Sequence, residues 1–135
     1  MAEIIRVFNE IHAVIAGRTA HRLAQQIGFP LGECTAIHIA TLEVTRNILE
    51  YAGHGQVLFE QVERQDVLGI QLGIEIQAID NGPGIPDLEA VLQDGFSTGK
   101  GLGKGLPGAK RLMDDFEITS DMDKGTSITM RKWKL

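Results

Sequence analysis

Between residues 80 and 108 the chain reads DNGPGIPD and then, after a short interval, GFSTGKGLGKGLPG. Two such glycine clusters suit the binding of an anion. Consecutive glycines let backbone N–H groups approach an anion closely, and a helix that follows adds the positive end of its dipole. GKGLGKG contains no G-x-x-x-x-G-K-[ST], which excludes the P-loop. Gly103, Gly105 and Gly108 match G-x-G-x-x-G, but they follow a loop and no βαβ unit surrounds them, so the dinucleotide fingerprint fails its structural test. Two readings stay open, a flexible linker and a lid that cradles phosphate. The GIPD and FSTG elements and the helix opened by Leu106-Pro107 favour the lid.

Two further polar features fall on apolar surroundings. At ~100° per residue, Glu43, Asn47, Glu50 and His54 share an arc of roughly 60° on one helix. Ile37, Ala40, Val44, Ile48 and Tyr51 lie on one flank, Leu42 and Leu49 on the other. A helix apolar nearly all round is a buried one, so the stripe faces either solvent or a polar cavity. Asp80 poses the second question. Ile70, Leu72, Ile74, Ile76 and Ala78 alternate with polar residues and glycine, and Asp80 has the parity of the apolar set. Either its carboxylate points inward and needs a partner, or it opens a turn, for which Asp-Asn-Gly-Pro is strong chemistry.

The elements that must position these residues follow from periodicity and breakers. A strand is expected over 3–8 and a helix over 10–26, with Asn9 as its N-cap. GFPLGE breaks the pattern, and a second helix runs over 34–52 to the stop at Gly53-His-Gly55. Strands at 56–64 and 67–80 join through a turn at Gln65-Asp66. A helical turn is expected near 88–93, a helix from 106 to about 115, and strands at 117–120 and 126–133 around the turn at 123–125. The order β-α-α-β-β-α-β-β is not that of a doubly wound sheet. It predicts an α+β two-layer sandwich, a mostly antiparallel mixed sheet with helices on one face.

Composition bounds the rest. One hundred and thirty-five residues suit a single domain, 1–135, and the one cysteine, Cys34, excludes an internal disulfide. Thirteen basic against eighteen acidic residues give a net charge of −5, which argues against nucleic acid as a partner. No apolar run approaches the ~18 residues of a membrane span, so no membrane role and a cytoplasmic location are expected. The sixteen glycines are the outlier, against about ten expected at ~7% usage.

Three separated motifs carry a resemblance. LEVTRNILEYAG resembles the asparagine box of the GHKL ATP-binding superfamily (gyrase, Hsp90-type chaperones, histidine kinases and the MutL type). DNGPGIPD resembles its first glycine box, GKGLGKGLPGAKRL its second, and KGTSITM its closing Gly-Thr strand. Order and spacing match from about residue 8 to 133. The small size is similar to that of the anti-sigma-factor-type serine/threonine kinases. QDGFSTGKGLGKGLPGAKRLMDDF is similar to the switch kinases of stressosome-type stress signalling.

The resemblance implies a GHKL (Bergerat) fold and a protein serine/threonine kinase that uses ATP and Mg2+. Its substrates would be STAS-domain antagonist and scaffold proteins of a stressosome. It would afterwards be released to activate a downstream PP2C-type phosphatase. The alternative is a nucleotide-gated anti-sigma or partner-sequestering module with little phosphotransfer. By the same resemblance Asn47 ligates magnesium, Asp80 accepts the adenine amine, and Gly82 and Gly84 let the backbone pass close to the base. Thr126 helps to hold Asp80. Gly99, Gly101, Leu102, Gly103 and Gly105 line the phosphates, with Lys100 or Lys104 at the terminal one. Glu43 is the general base on the attacking hydroxyl of a partner protein.

Other residues have quieter readings. The four histidines lack metal-ligand spacing, and His54 is a candidate cap for the second helix. Cys34 and Trp133 read as packing residues, Arg46 as a surface or partner-facing one. Ser97 and Thr98 read as loop caps.

Overall fold

Period-2 alternation builds the sheet. In the computed structural model, which describes residues 2–93 and 105–135, five strands form one sheet. They are β1 (Glu3–Val7), β2 (Gly55–Asp66), β3 (Gly69–Ile79), β4 (Asp115–Asp121) and β5 (Gly125–Trp133), in the order β1-β2-β3-β5-β4. All four pairings are antiparallel, where the sequence predicts a mostly antiparallel mixed sheet. Among the described residues the helices are α1 (Glu10–Ile27), α2 (Leu31–Tyr51), the single turn α3 (Leu88–Val91) and α4 (Leu106–Leu112).

One parity of each central strand makes the core. Val57 and Phe59 of β2, Ile74, Ile76 and Ala78 of β3, and Ile128 and Met130 of β5 are all buried. They meet Ala16, Ala20 and Ala24 of α1 and Ile37, Ala40, Val44 and Ile48 of α2 in a single cluster. The alanine face of α1 lets it lie close to α2. Trp133 covers Gly73, where a Cβ would come within 2.6 Å of the ring, and its indole N–H donates to Asp115 Oδ2 at 2.9 Å.

Helix ends follow their caps. Asn9 Oδ1 accepts the His12 N–H at 3.0 Å, and Gly28 closes α1 in the left-handed region at φ +109°. α2 starts at Leu31, three residues earlier than expected, because Pro30 in extended conformation takes the N-cap position. The Cys34 thiol donates to Phe29 O within the core, and burial, then Glu33, push its pKa up, which suits a packing residue. At the far end the Ala52 and Gly53 N–H groups both donate to Ile48 O, with Gly53 at φ +82°. His54 instead lies stacked on Phe8.

The β2–β3 turn falls on Val67-Leu68 and not on Gln65-Asp66. Asp66 Oδ1 accepts the Leu68 N–H at 2.7 Å, and Gly69 takes φ +120°. The flanking residues carry the turn chemistry, so the two at its tip are free to be apolar.

The turn between β4 and β5 presses on the end of β3. Gly125 sits at φ +97°, and a Cβ there would run into the Asp80 carbonyl oxygen and Asn81 Cα. Because both obstacles are backbone, neither can rotate away. Gly125→Ala should lower stability by about 1–3 kcal/mol, the usual range for a residue forced into a disfavoured conformation. Urea unfolding measures this; an unchanged midpoint would mean that the turn relaxes freely.

Candidate functional site

α2 is long, central and buried, and four of its polar side chains are buried with it: Thr41, Glu43, Thr45 and Asn47. They divide into two kinds. Thr41 and Thr45 satisfy themselves, each hydroxyl donating to the carbonyl four residues back, at 2.8 and 2.7 Å. Glu43 and Asn47 do not. Among the described residues, Glu43 Oε1 and Asn47 Oδ1 are buried without a hydrogen-bond partner, and so is Arg46 Nε between them. An unsatisfied buried polar group costs about 1–3 kcal/mol. Two such acceptors one helical turn apart mark a place shaped for something that donates or is positive.

The rest of the predicted stripe diverges. Glu50 is exposed, and the stripe thus enters the interior only over its first turn. Arg46, expected at the surface, has three-quarters of its side chain buried. Its guanidinium stands 3.7 Å from Glu43 Oε1 and 3.8 Å from Glu10 Oε2 on α1.

The second oxygen of Glu43 is engaged. Oε2 accepts the Gly105 N–H at 2.8 Å. Gly105 is the N-cap of α4, at φ +76°, and α4 packs on α2 through Leu106, Pro107, Gly108 and Ala109. This bond joins residues 62 apart, so no local spacing could have revealed it. It ties the carboxylate of α2 to the point where the second glycine cluster re-enters the described structure.

Asp80 resolves its own ambiguity by doing both things. Its backbone continues the β3–β5 ladder through the N–H to Thr126 O bond at 3.0 Å, so the carboxylate keeps the inward parity and is 5% exposed. It also opens a turn: Oδ1 accepts the Gly82 N–H at 2.9 Å and the Thr126 N–H at 3.2 Å. Thr126 thus holds Asp80 through its backbone, while its hydroxyl pairs with Ser120 Oγ at 2.9 Å. Ser120 Oγ accepts the Ile85 N–H at 2.7 Å. The sequence reading missed Ser120, although its place opposite Thr126 in the β4–β5 hairpin is a signal for it.

Gly82 and Gly84 have a structural duty in this loop. A Cβ on Gly82 would meet Ala52 Cβ at 2.5 Å, and one on Gly84, at φ +85°, the Asp121 carbonyl at 2.6 Å. The first glycine cluster is therefore clamped between the end of α2 and the β4–β5 hairpin, which brings Asp80 towards the helix that carries Asn47. Gly99, Lys100, Gly101, Leu102, Gly103 and Lys104, with Ser97 and Thr98, lie outside the described residues. A cleft of about 430 Å³ beside Leu68, Ile70, Leu72 and Leu135 lies at the opposite end of β3 from Asp80.

Residues 9–132 match the histidine kinase-like ATPase domain family. The chain belongs to this family. The serine/threonine-protein kinase RsbT of Bacillus subtilis is 43% identical over 129 residues, 96% of this chain and 94% of its own. An anti-sigma F factor of Caldanaerobacter subterraneus subsp. tengcongensis is 29% identical over 113 residues, 82% of this chain and 77% of its own. Among solved structures, a chain of the SiaB-SiaC complex of Pseudomonas aeruginosa aligns with a TM-score of 0.51. It covers 98% of this chain and 89% of that one at 10% identity, a likeness of fold alone. The family and the RsbT likeness give the catalytic class, an ATP-dependent protein serine/threonine kinase.

The unpaired oxygen of Asn47 makes a prediction about the ligand-free protein. Asn47→Leu keeps the branched shape and the number of side-chain heavy atoms and removes the orphan acceptor, so its unfolding free energy without ligand should equal or exceed that of the wild type. Chemical denaturation without nucleotide checks this. A loss of more than about 2 kcal/mol, typical of a broken buried network, would mean that Asn47 is a structural partner.

Proposed function

We propose that this chain transfers the γ-phosphate of ATP to a serine or threonine of STAS-domain partner proteins in a stressosome-type switch in the cytoplasm. Phosphorylation of the partner then releases the kinase to activate a PP2C-type phosphatase. One observation carries the site reading: the unpaired Glu43 Oε1 and Asn47 Oδ1, buried one turn apart on α2. The partner assignment draws on the likeness to RsbT and on the sequence motifs.

Asn47 Oδ1 fits magnesium, being an unpartnered oxygen of the kind a hard cation prefers. The bound ion would neutralise phosphate charge. Asp80 holds its protein N–H donors on Oδ1, so Oδ2 is the oxygen offered to the exocyclic amine of adenine. Gly105, Gly82 and Gly84 shape the walls, and Gly99 to Lys104 supply the phosphate cover, Lys100 or Lys104 reaching the terminal phosphate. In the transfer, the partner hydroxyl gives its proton to Glu43 Oε1 as its oxygen bonds the γ-phosphorus. The bond from that phosphorus to the β–γ bridging oxygen breaks, and ADP leaves with the electron pair. The Gly105 N–H on Oε2 holds the carboxylate with Oε1 free for this task.

A second reading has one observation in its favour, the likeness to an anti-sigma F factor. On it the chain is a nucleotide-gated module that sequesters a partner, and transfer is secondary.

Asp80→Asn tests the adenine contact. The amide oxygen can keep the Gly82 and Thr126 N–H bonds, so the fold survives, but an NH₂ group then faces the adenine amine. ATP affinity should fall roughly 10- to 150-fold, the worth of a hydrogen bond to a charged group. Unchanged affinity by calorimetry would remove Asp80 from the base site.

Glu43→Gln separates the two readings. Its amide oxygen can still accept the Gly105 N–H, so nucleotide and partner affinity should stay within a few-fold. Single-turnover phosphotransfer should fall by about 10²–10⁴-fold, the usual contribution of a positioned general base. Near-normal transfer would place the base elsewhere, and a wild type that binds nucleotide and partner without transfer would favour the sequestering module.

A further inference from the structure

Arg46 is the only lysine or arginine on α2, and it stands one residue before Asn47 and one turn after Glu43. Its surroundings do not satisfy it. The separations from Glu43 Oε1 and Glu10 Oε2, 3.7 and 3.8 Å, make loose ion pairs but are too long for hydrogen bonds, and Nε is buried without a hydrogen-bond partner among the described residues. Two arginines elsewhere in the molecule close fully on carboxylates: Arg131 on Glu75 at 2.7 Å and Arg22 on Glu3 at 2.9 Å. An arginine serving only to tie α1 to α2 would do the same, since Glu10 is mostly exposed and free to turn towards it.

The three atoms on this turn that lack a hydrogen bond among the described residues are of opposite kinds. Glu43 Oε1 and Asn47 Oδ1 accept, whereas Arg46 Nε donates and carries positive charge. A metal ion alone would suit the two oxygens and be repelled by the guanidinium. An anion alone would suit the guanidinium and be repelled by Glu43. A metal-bound phosphate satisfies all three, because it presents a cation and anionic oxygens together. Guanidinium geometry also suits a phosphoryl oxygen better than a lysine would.

We infer that Arg46 is a contact for the terminal phosphate of ATP, drawn from α2 itself, and that it makes the site discriminate ATP from ADP. This rests on the reading of the site as the ATP site given above. The contact lies beside the base, so the guanidinium also faces the phosphoryl group during its transfer, when charge spreads over its oxygens. Glu10 is then the exposed counter-ion that keeps the side chain folded over the helix, with no role towards the nucleotide.

Calorimetry with ATP and with ADP, each with magnesium, tests this in the wild type, Arg46→Gln and Glu10→Gln. Arg46→Gln should weaken ATP roughly 10- to 150-fold, as for a lost hydrogen bond to a charged group, and leave ADP within about three-fold. Glu10→Gln should leave the ratio of the two affinities unchanged. Equal weakening of ATP and ADP by Arg46→Gln, or no weakening of either, overturns the inference while leaving the ATP site intact. A wild type that binds neither nucleotide overturns the site reading and this inference together. If Arg46→Gln does not fold, Arg46→Lys carries the test. It keeps the charge but loses Nε, and it must lower ATP affinity relative to ADP at least several-fold; an unchanged ratio contradicts the assignment.

Discussion

A helix buried on nearly every side must find a partner for each polar group it carries, and α2 does so everywhere but at one turn. Thr41 and Thr45 are answered by the helix backbone, and Glu43 Oε2 by the cap of α4. Glu43 Oε1, Arg46 Nε and Asn47 Oδ1 are left without a hydrogen bond among the described residues. Polar atoms of this kind are costly in a folded chain without a compensating ligand, and their cost falls on the turn proposed above as the nucleotide site. The apolar flanks of α2 supply the stability that tolerates it, with Ile37, Val44 and Ile48 locked against the sheet.

The rest of the architecture fixes Asp80 and the first glycine cluster beside the C-terminal end of α2. The β3–β5 ladder carries Asp80 one step past the last paired strand residue and fixes its carboxylate by two backbone N–H donors. Glycines at 82, 84 and 125 allow three segments to meet at backbone contact distance, which no side chain would permit. Ser120 then links the loop to the hairpin through Ile85 and Thr126. The glycines of the first cluster therefore have a packing role whether or not a base passes over them.

Much of this was legible in the chain. Alternation at 70–78 and 126–133 located the central strands, and the near-continuous apolar circumference of 37–51 located the buried helix, because burial leaves a periodic trace. Boundaries failed where one residue's chemistry overrode the pattern: Pro30 drew the start of α2 forward, and Asp66 with Gly69 moved the turn to Val67-Leu68. Within the site, Glu43, Asn47 and Asp80 stood out as polar residues on apolar faces. Arg46 did not, because an arginine on a helix flank is ordinarily solvated, and only the packed structure shows its Nε buried without a hydrogen bond among the described residues. The Glu43–Gly105 bond was illegible for a different reason: it depends on how α4 docks against α2, which no local period records.

The central claim is that the unpaired turn of α2 is where magnesium-bound nucleotide sits. A crystal structure with magnesium and a non-hydrolysable ATP analogue tests it directly. The account predicts Asn47 Oδ1 in the coordination shell, at the ~2.0–2.1 Å typical of magnesium and oxygen, with Glu43 Oε1 facing the terminal phosphate. A bound nucleotide whose metal is held without Asn47, with the three atoms of α2 still unpaired, would contradict it.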